Sequence, residues 1–363
     1  MAGKLETCIA QLLHADPEER EAAAEALGAM ARRAKKAGPA LVAASVDPNA
    51  RVRCSATWAV GEVGHAAGVD AVELRLSDKN ARVREYAPYA LRMLGAWRSV
   101  PAIVPLASDK NAKVRAGAVE ALGSLATDAA AELQRHGHIR AARKGTASDT
   151  IKGIACRAVL DATTDKSAAV RKVTWTALQS MKPALLLPVL SDAHIEAMLS
   201  EVRTIRSVSA RINLGRLLGS LGRPEVLEVL LPMPGQADKA FRAAAVELGP
   251  AAWPALADLA ERSPEHLERV VETAFRLVSN YFCIDEESCP LHDTPEAADG
   301  ITRISRVAMG GPQQHALLGA LKSMADRRMP MVHTPEIRER LEAMSPHHYA
   351  DYILELMNTK PPV

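Results

Sequence analysis

Asp47-Pro48-Asn49-Ala50-Arg51-Val52-Arg53, Asp78-Lys79-Asn80-Ala81-Arg82-Val83-Arg84 and Asp109-Lys110-Asn111-Ala112-Lys113-Val114-Arg115 are three copies of one pattern, each starting 31 positions after the one before. The aspartate and the final arginine are six apart in every copy. A fixed period of this length marks a tandem array of short supersecondary units, each contacting chiefly its neighbours.

Counted from each valine as zero, apolar residues return at +4, +7, +8 and +11: Ala56, Ala59, Val60 and Val63; Ala87, Ala90, Leu91 and Leu94; Ala118, Ala121, Leu122 and Leu125. This spacing predicts an amphipathic helix with one buried stripe. The aspartate just before the helix is expected to cap its first amides. A second apolar run follows, Val69 to Leu76 and then Val100 to Leu106, so the unit reads helix, turn, helix. Neither helix buries its stripe alone, which requires the pairs to stack.

The combination Asp-x-x-Ala-x-Val-Arg followed by an Ala-Leu-Gly type of helix resembles the HEAT-repeat family, in particular the short units also found in the phycobilisome lyase group. The resemblance covers residues 47 to 125, recurs at Asp165-Lys166-Ser167-Ala168-Ala169-Val170-Arg171, and fades on both sides. It implies an all-α fold of the armadillo type, a right-handed α-α superhelix. It also implies a ladder of hydrogen bonds between neighbouring units, carried by Asp47, Asp78, Asp109 and Asp165 with Arg53, Arg84, Arg115 and Arg171. These eight residues are read as architecture.

The spacing extends beyond the clear units. With Glu19 as zero it falls on Ala23, Ala26, Leu27 and Met30, with Arg20 in the arginine place; with Ala210 as zero it falls on Leu214, Leu217, Leu218 and Leu221. A degraded unit is expected over 238–260, broken at Gly249-Pro250. The step from Val114 to Val170 is 56 residues, which leaves room for an irregular unit over about 126–164 with a helix near Ala147 to Ala158. The expected organisation is a solenoid over 1–282 (clear units 47–125 and 165–182, degraded units about 183–282), an acidic loop over 283–300, and a divergent C-terminal helical cap over 301–363. Pro290 and Pro295 argue against a regular helix through the loop.

Composition narrows the function. Net charge is +2 from 45 basic and 43 acidic residues, which speaks against a dedicated nucleic-acid binder without excluding a local basic strip. The first residues lack a signal-peptide core and no apolar stretch is long enough to span a bilayer, so a cytoplasmic protein without membrane insertion is expected. The five cysteines are scattered, which suits a reducing compartment. Cys283, Cys289 and His292 crowd together with metal-ligand chemistry but lack a Cys-x2-Cys knuckle, so free thiols or a disulfide are preferred over zinc. No cofactor is expected.

Enzyme motifs are missing. Gly215, Gly219 and Gly222 sit at helical spacing with no Gly-Lys-Ser/Thr after them, and the chain contains neither Gly-x-Ser-x-Gly nor His-Glu-x-x-His. The absence of any His-Glu dipeptide sets the chain apart from the HEAT-like deoxyhypusine hydroxylases, which hold iron with such pairs.

The expected function is a non-catalytic protein-binding scaffold or adaptor. A DNA-binding or DNA-repair enzyme of the HEAT-like alkylpurine glycosylase type, and a bilin-lyase-like protein, are the alternatives. Candidate contacts are Trp58 and Tyr89, both at +6 and roughly 145° from the middle of the apolar stripe. The basic stretch with Arg135, Arg140, Arg143 and Lys144, and the acidic stretch with Asp285, Glu286 and Glu287, complete the set. Two readings stand for the aromatics: anchors for a partner, or rings packed on an adjacent helix.

Overall fold

The computed structural model describes residues 2–136, 147–233, 237–279, 294–326 and 332–359, and among them there is no β-strand. They divide into two compact units, Met1–Ala197 and Met198–Val363. In the first unit the long helices are α2 (Pro17–Ala29), α4 (Ala50–Val63), α6 (Ala81–Met93), α8 (Ala112–His136) and α10 (Ala168–Ser180), preceded by α1 (Ala2–Gln11). Each long helix packs on the next, forming one layer. The second layer holds α3 (Gly38–Ala44), α5 (Val69–Glu73), α7 (Val100–Ile103), α9 (Ala147–Asp161) and α11 (Pro183–Leu186). Several of these are single α-turns that tighten into 3-10 geometry, as over Leu74–Ser77 and Val104–Ser108.

The stripe read from the sequence forms the core. Val52, Val83 and Val114 are fully buried, as are Ala56, Ala59, Val60 and Val63 in α4 and Ala118, Leu122 and Leu125 in α8. Three percent aromatic content suits this arrangement, because alanines and glycines let the helices approach closely. A Cβ added to Gly61 would stand 2.8 Å from Ala90 Cα, and one on Gly123 would stand 2.8 Å from Ala177 Cβ. Both glycines sit at +9 and meet the +7 alanine of the following long helix.

The caps differ from expectation. Asn49 and Asn80, not the aspartates two residues earlier, are the N-caps: their side chains accept from Arg51 N and Arg82 N at 2.8 and 2.9 Å. The aspartates lie too far upstream to reach those amides. Their carboxylates instead accept from the residue two ahead, as Asp47 Oδ1 does from Asn49 N at 2.7 Å, and otherwise face arginine.

That arginine comes from the preceding unit. Arg53 Nε and Nη2 donate to Asp78 at 2.8 and 3.0 Å, Arg84 repeats this on Asp109 at 2.8 and 3.1 Å, and Arg115 on Asp165 at 2.6 and 2.9 Å. Arg20, in the end unit, holds Asp47 in the same way at 2.7 and 3.0 Å. Each arginine turns its third nitrogen back onto its own turn: Arg53 Nη1 donates to Asp47 O and Pro48 O at 2.9 and 3.1 Å. Arg171 makes the same backward bond, to Asp165 O at 3.0 Å. One planar fork thus ties two successive turns, a task that suits guanidinium because its donors are fixed in direction. The Arg115–Asp165 pair shows that the longer step between the third and fourth copies leaves the ladder unbroken. The extra residues go partly into α8, which runs on to His136, and partly into α9 in the other layer.

The second unit repeats the two layers with α13 (Val208–Ser220), α15 (Ala237–Leu248), α17 (Leu267–Ser279), α19 (Gln314–Asp326) and α21 (His348–Thr359) in one. The other layer contains α14 (Glu225–Leu230), α16 (Ala252–Arg262), α18 (Pro295–Ala308) and α20 (Pro335–Ala343). Helix α12 (Asp192–Thr204) spans the division between units. The expected break over Gly249-Pro250 is a 3-10 turn between α15 and α16. Helix α18 begins at Pro295, inside the segment expected to be an acidic loop through Gly300. Thr294 caps α18 through its hydroxyl, which accepts from Ala297 N, and Pro295 occupies the first turn, where its missing N–H costs no helical bond. Helices α18 to α21 continue the stacking of pairs on α16 and α17.

Candidate partner-binding face on the long-helix layer

The +6 positions lie on the side of the long helices away from the short-helix layer, and the structure brings Trp58 and Tyr89 together there. Both rings are half-buried. Trp58 lies against α2: a Cβ on Gly28 would collide with the ring carbons of Trp58, so only glycine leaves room for the ring in this place. Gly28, like Gly61 and Gly123, is a +9 residue. Tyr89 leans toward α4 and donates its hydroxyl proton to Glu62 Oε1. Its pKa is raised, first by burial and then by the Glu62 hydrogen bond and charge, while Arg92 and the Trp58 side chain act in the opposite direction.

Arg92 occupies the +9 place that is glycine in α2, α4 and α8. Its guanidinium sits 4.9 Å from the centroid of the Tyr89 ring, within cation–π range. It also reaches Glu120 of α8 at 3.6 Å, and Glu120 is itself the +6 residue of that helix, 59% exposed. Gly28, Trp58, Tyr89, Arg92 and Glu120 therefore form one continuous row across α2, α4, α6 and α8. Each ring rests on the preceding helix and is half-buried there.

The sequence missed Glu62, Arg92 and Glu120. A signal existed, because Arg92 breaks the glycine column at +9, next to an aromatic at +6. Trp175 and Trp253 do not extend the row; they are buried at 3% and 1% exposure. Arg135 lies in the last turn of α8. Arg140, Arg143, Lys144, Asp285, Glu286, Glu287, Cys283, Cys289 and His292 fall outside the described residues.

Among the described residues no cluster of three or more histidine, cysteine or acidic side chains has the geometry to hold a metal, and no helix is long and apolar enough to cross a membrane. Cys8, Cys54 and Cys156 are free, buried thiols. Burial pushes both the Cys54 and Cys156 thiols up to about 11, which suits inert core residues rather than nucleophiles.

Three features now stand together: a repeated Asp-to-Arg turn, paired helices in two layers, and arginine forks joining unit to unit. Residues 5–92 and 69–137 match the family model for HEAT repeats. The units within residues 5–137 are HEAT repeats. Solved structures similar to the chain include an engineered protein, at 15% identity over 98% of each chain with a TM-score of 0.46. The complex of CpcE and CpcF of phycocyanin lyase from Nostoc sp. PCC7120 is 16% identical over 84% of this chain and 94% of that one, with a TM-score of 0.40. A second engineered protein is 16% identical over 66% of this chain and 98% of its own, with a TM-score of 0.41. A search of curated proteins returns no match.

Proposed function

We propose that the HEAT units form a non-catalytic scaffold that holds a protein partner along the exposed side of α2, α4, α6 and α8. The observation that carries this reading is the row from Trp58 to Glu120. It places two aromatic rings and an arginine, the residue types that dominate binding energy at protein interfaces, side by side on a fixed support. The support is rigid for a stated reason: the arginine forks lock the turns behind these helices, so the rings lose little freedom when a partner covers them. The charges of Glu62, Arg92 and Glu120 would select the partner and set its register, which suits an extended or helical segment lying across the long helices.

The test is affinity enrichment of the tagged protein from its own host, beside Trp58→Ala and Glu120→Lys variants whose helical circular dichroism is checked. The scaffold reading expects one or a few proteins recovered with the native chain and depleted with both variants. Recovery dominated by nuclease-sensitive nucleic acid, unchanged by either variant, would overturn it.

A further inference from the structure

In the second unit, α13 and α15 are tightly joined, since a Cβ on Gly219 would stand 2.5 Å from Ala244 O. Across α13, α15 and α17 the surface opens into a cavity of about 340 Å³. Arg216 comes from α13, Lys239 and Arg242 from α15, and Arg276 from α17. The turns of α15 explain the convergence: positions 239, 242, 243 and 246 share one helical face, and Val246 supplies part of an apolar wall with Leu277.

The cations are only partly neutralised. Arg242 Nη1 and Arg276 Nη2 share one oxygen of Glu272, at 3.3 and 2.9 Å, and Glu247 adds a second carboxylate at the lining. Arg216 and Lys239 have no ion-pair partner among the described residues. Four positive groups thus face two negative ones. Thr273 is also among the lining residues; it is 1% exposed, and its buried Oγ1 has no hydrogen-bond partner among the described residues. A buried hydroxyl without a partner is uncommon, because the lost hydration is not returned. The volume falls at the small end of the range for small-molecule sites.

We propose that this cavity is a binding site for a small organic phosphate, whose anionic group is held by Arg216, Lys239, Arg242 and Arg276 and accepts a hydrogen bond from the Thr273 hydroxyl. Guanidinium forks match phosphate oxygens in pairs, and a multivalent anion satisfies a surplus of positive charge that a single carboxylate would leave standing. The apolar wall accommodates the body of the ligand. The site lies wholly in the second unit and is independent of the protein-binding reading.

Isothermal titration of the full chain with pyrophosphate, with inorganic phosphate alongside, tests this. The native protein is expected to bind pyrophosphate at one site per chain, more tightly than inorganic phosphate. Arg216→Gln and Lys239→Gln, both at exposed positions, should each weaken binding about tenfold, the equivalent of one charged hydrogen bond. Thr273→Val keeps the shape and removes only the hydroxyl; it should weaken binding by a similar factor while leaving the melting temperature unchanged or higher. Absence of binding at millimolar pyrophosphate would overturn the proposal. So would binding that survives Arg216→Gln, Lys239→Gln and Thr273→Val, or duplex DNA or anionic vesicles occupying the site in preference to pyrophosphate.

Discussion

Replacing Asp78 with alanine probes the bond that joins one HEAT unit to the next. Asp78 accepts from Arg53 Nε and Nη2 and from Asn80 N, and the Asp78 and Arg53 side chains are 5% and 6% exposed. Removing one partner of a buried pair costs about 3–5 kcal/mol, because the other charge is left without compensation. Here Arg53 keeps its two bonds to Asp47 O and Pro48 O, which places the loss at the low end, about 3 kcal/mol. For a unit of this size that lowers the thermal midpoint by about 6–12 °C. Asp78→Asn retains one acceptor and should fall between alanine and native. The pH dependence has a fixed sign. The Asp78 pKa is lowered: burial pushes it up, but the Arg53 hydrogen bond, the Asn80 amide and the nearby positive charges together outweigh burial. The ionised form is therefore favoured by folding. The difference between native and alanine proteins is fully present above about pH 4, the range of an unfolded aspartate, and disappears as pH falls through the lower folded value. Circular dichroism melts of both proteins across this range are the assay. A midpoint change under about 2 °C at neutral pH, by the same conversion, would refute the reasoning. A gap that persists undiminished in strong acid would refute it equally.

Further outcomes follow from other contacts. Gly61→Ala drives a methyl into Ala90 Cα and should cost about 1–3 kcal/mol in urea unfolding, whereas the same change at Gly153, which has open space around it, should not. Asn80→Ala removes the cap of α6 and should cost about 1 kcal/mol by the same measurement, with Lys79→Ala as the exposed control. Cys54 and Cys156, with thiols raised to about 11, should resist iodoacetamide in the native protein at mildly alkaline pH and react fully in urea; mass spectrometry of the labelled sites reads this out.

The fold was legible where the sequence carried both a period and a chemistry. Val52, Val83 and Val114 set the register of the buried stripe, and the resemblance to the HEAT family, carried by the repeated aspartate and arginine, named the residues that meet between units. The capping role escaped because the segment before each helix holds two residues able to cap, Asp47 and Asn49 in the first copy. Sequence does not say which one the arginine of the previous unit takes. Pro295 misled for a related reason: proline forbids a helix through it but favours one that starts with it, and Thr294 decided between the two. At the candidate face, +6 spacing located Trp58 and Tyr89, but their exposure depended on a glycine in another unit, Gly28, and on Arg92. The basic cavity was illegible because Arg216, Lys239, Arg242 and Arg276 are spread over 61 positions without a motif. Only the packing of α13, α15 and α17 brings them to one place.

The claim that the HEAT units serve as a scaffold is tested most directly by placing a photo-crosslinking amino acid at Glu120, on the proposed face, and separately at Leu74, which is 68% exposed on the short-helix layer. With irradiation in the native host, the account predicts a discrete protein adduct from position 120, absent from position 74 and lost in the Trp58→Ala background. Adducts from position 74 alone, or equal adducts from both positions that persist with Trp58→Ala, would contradict it.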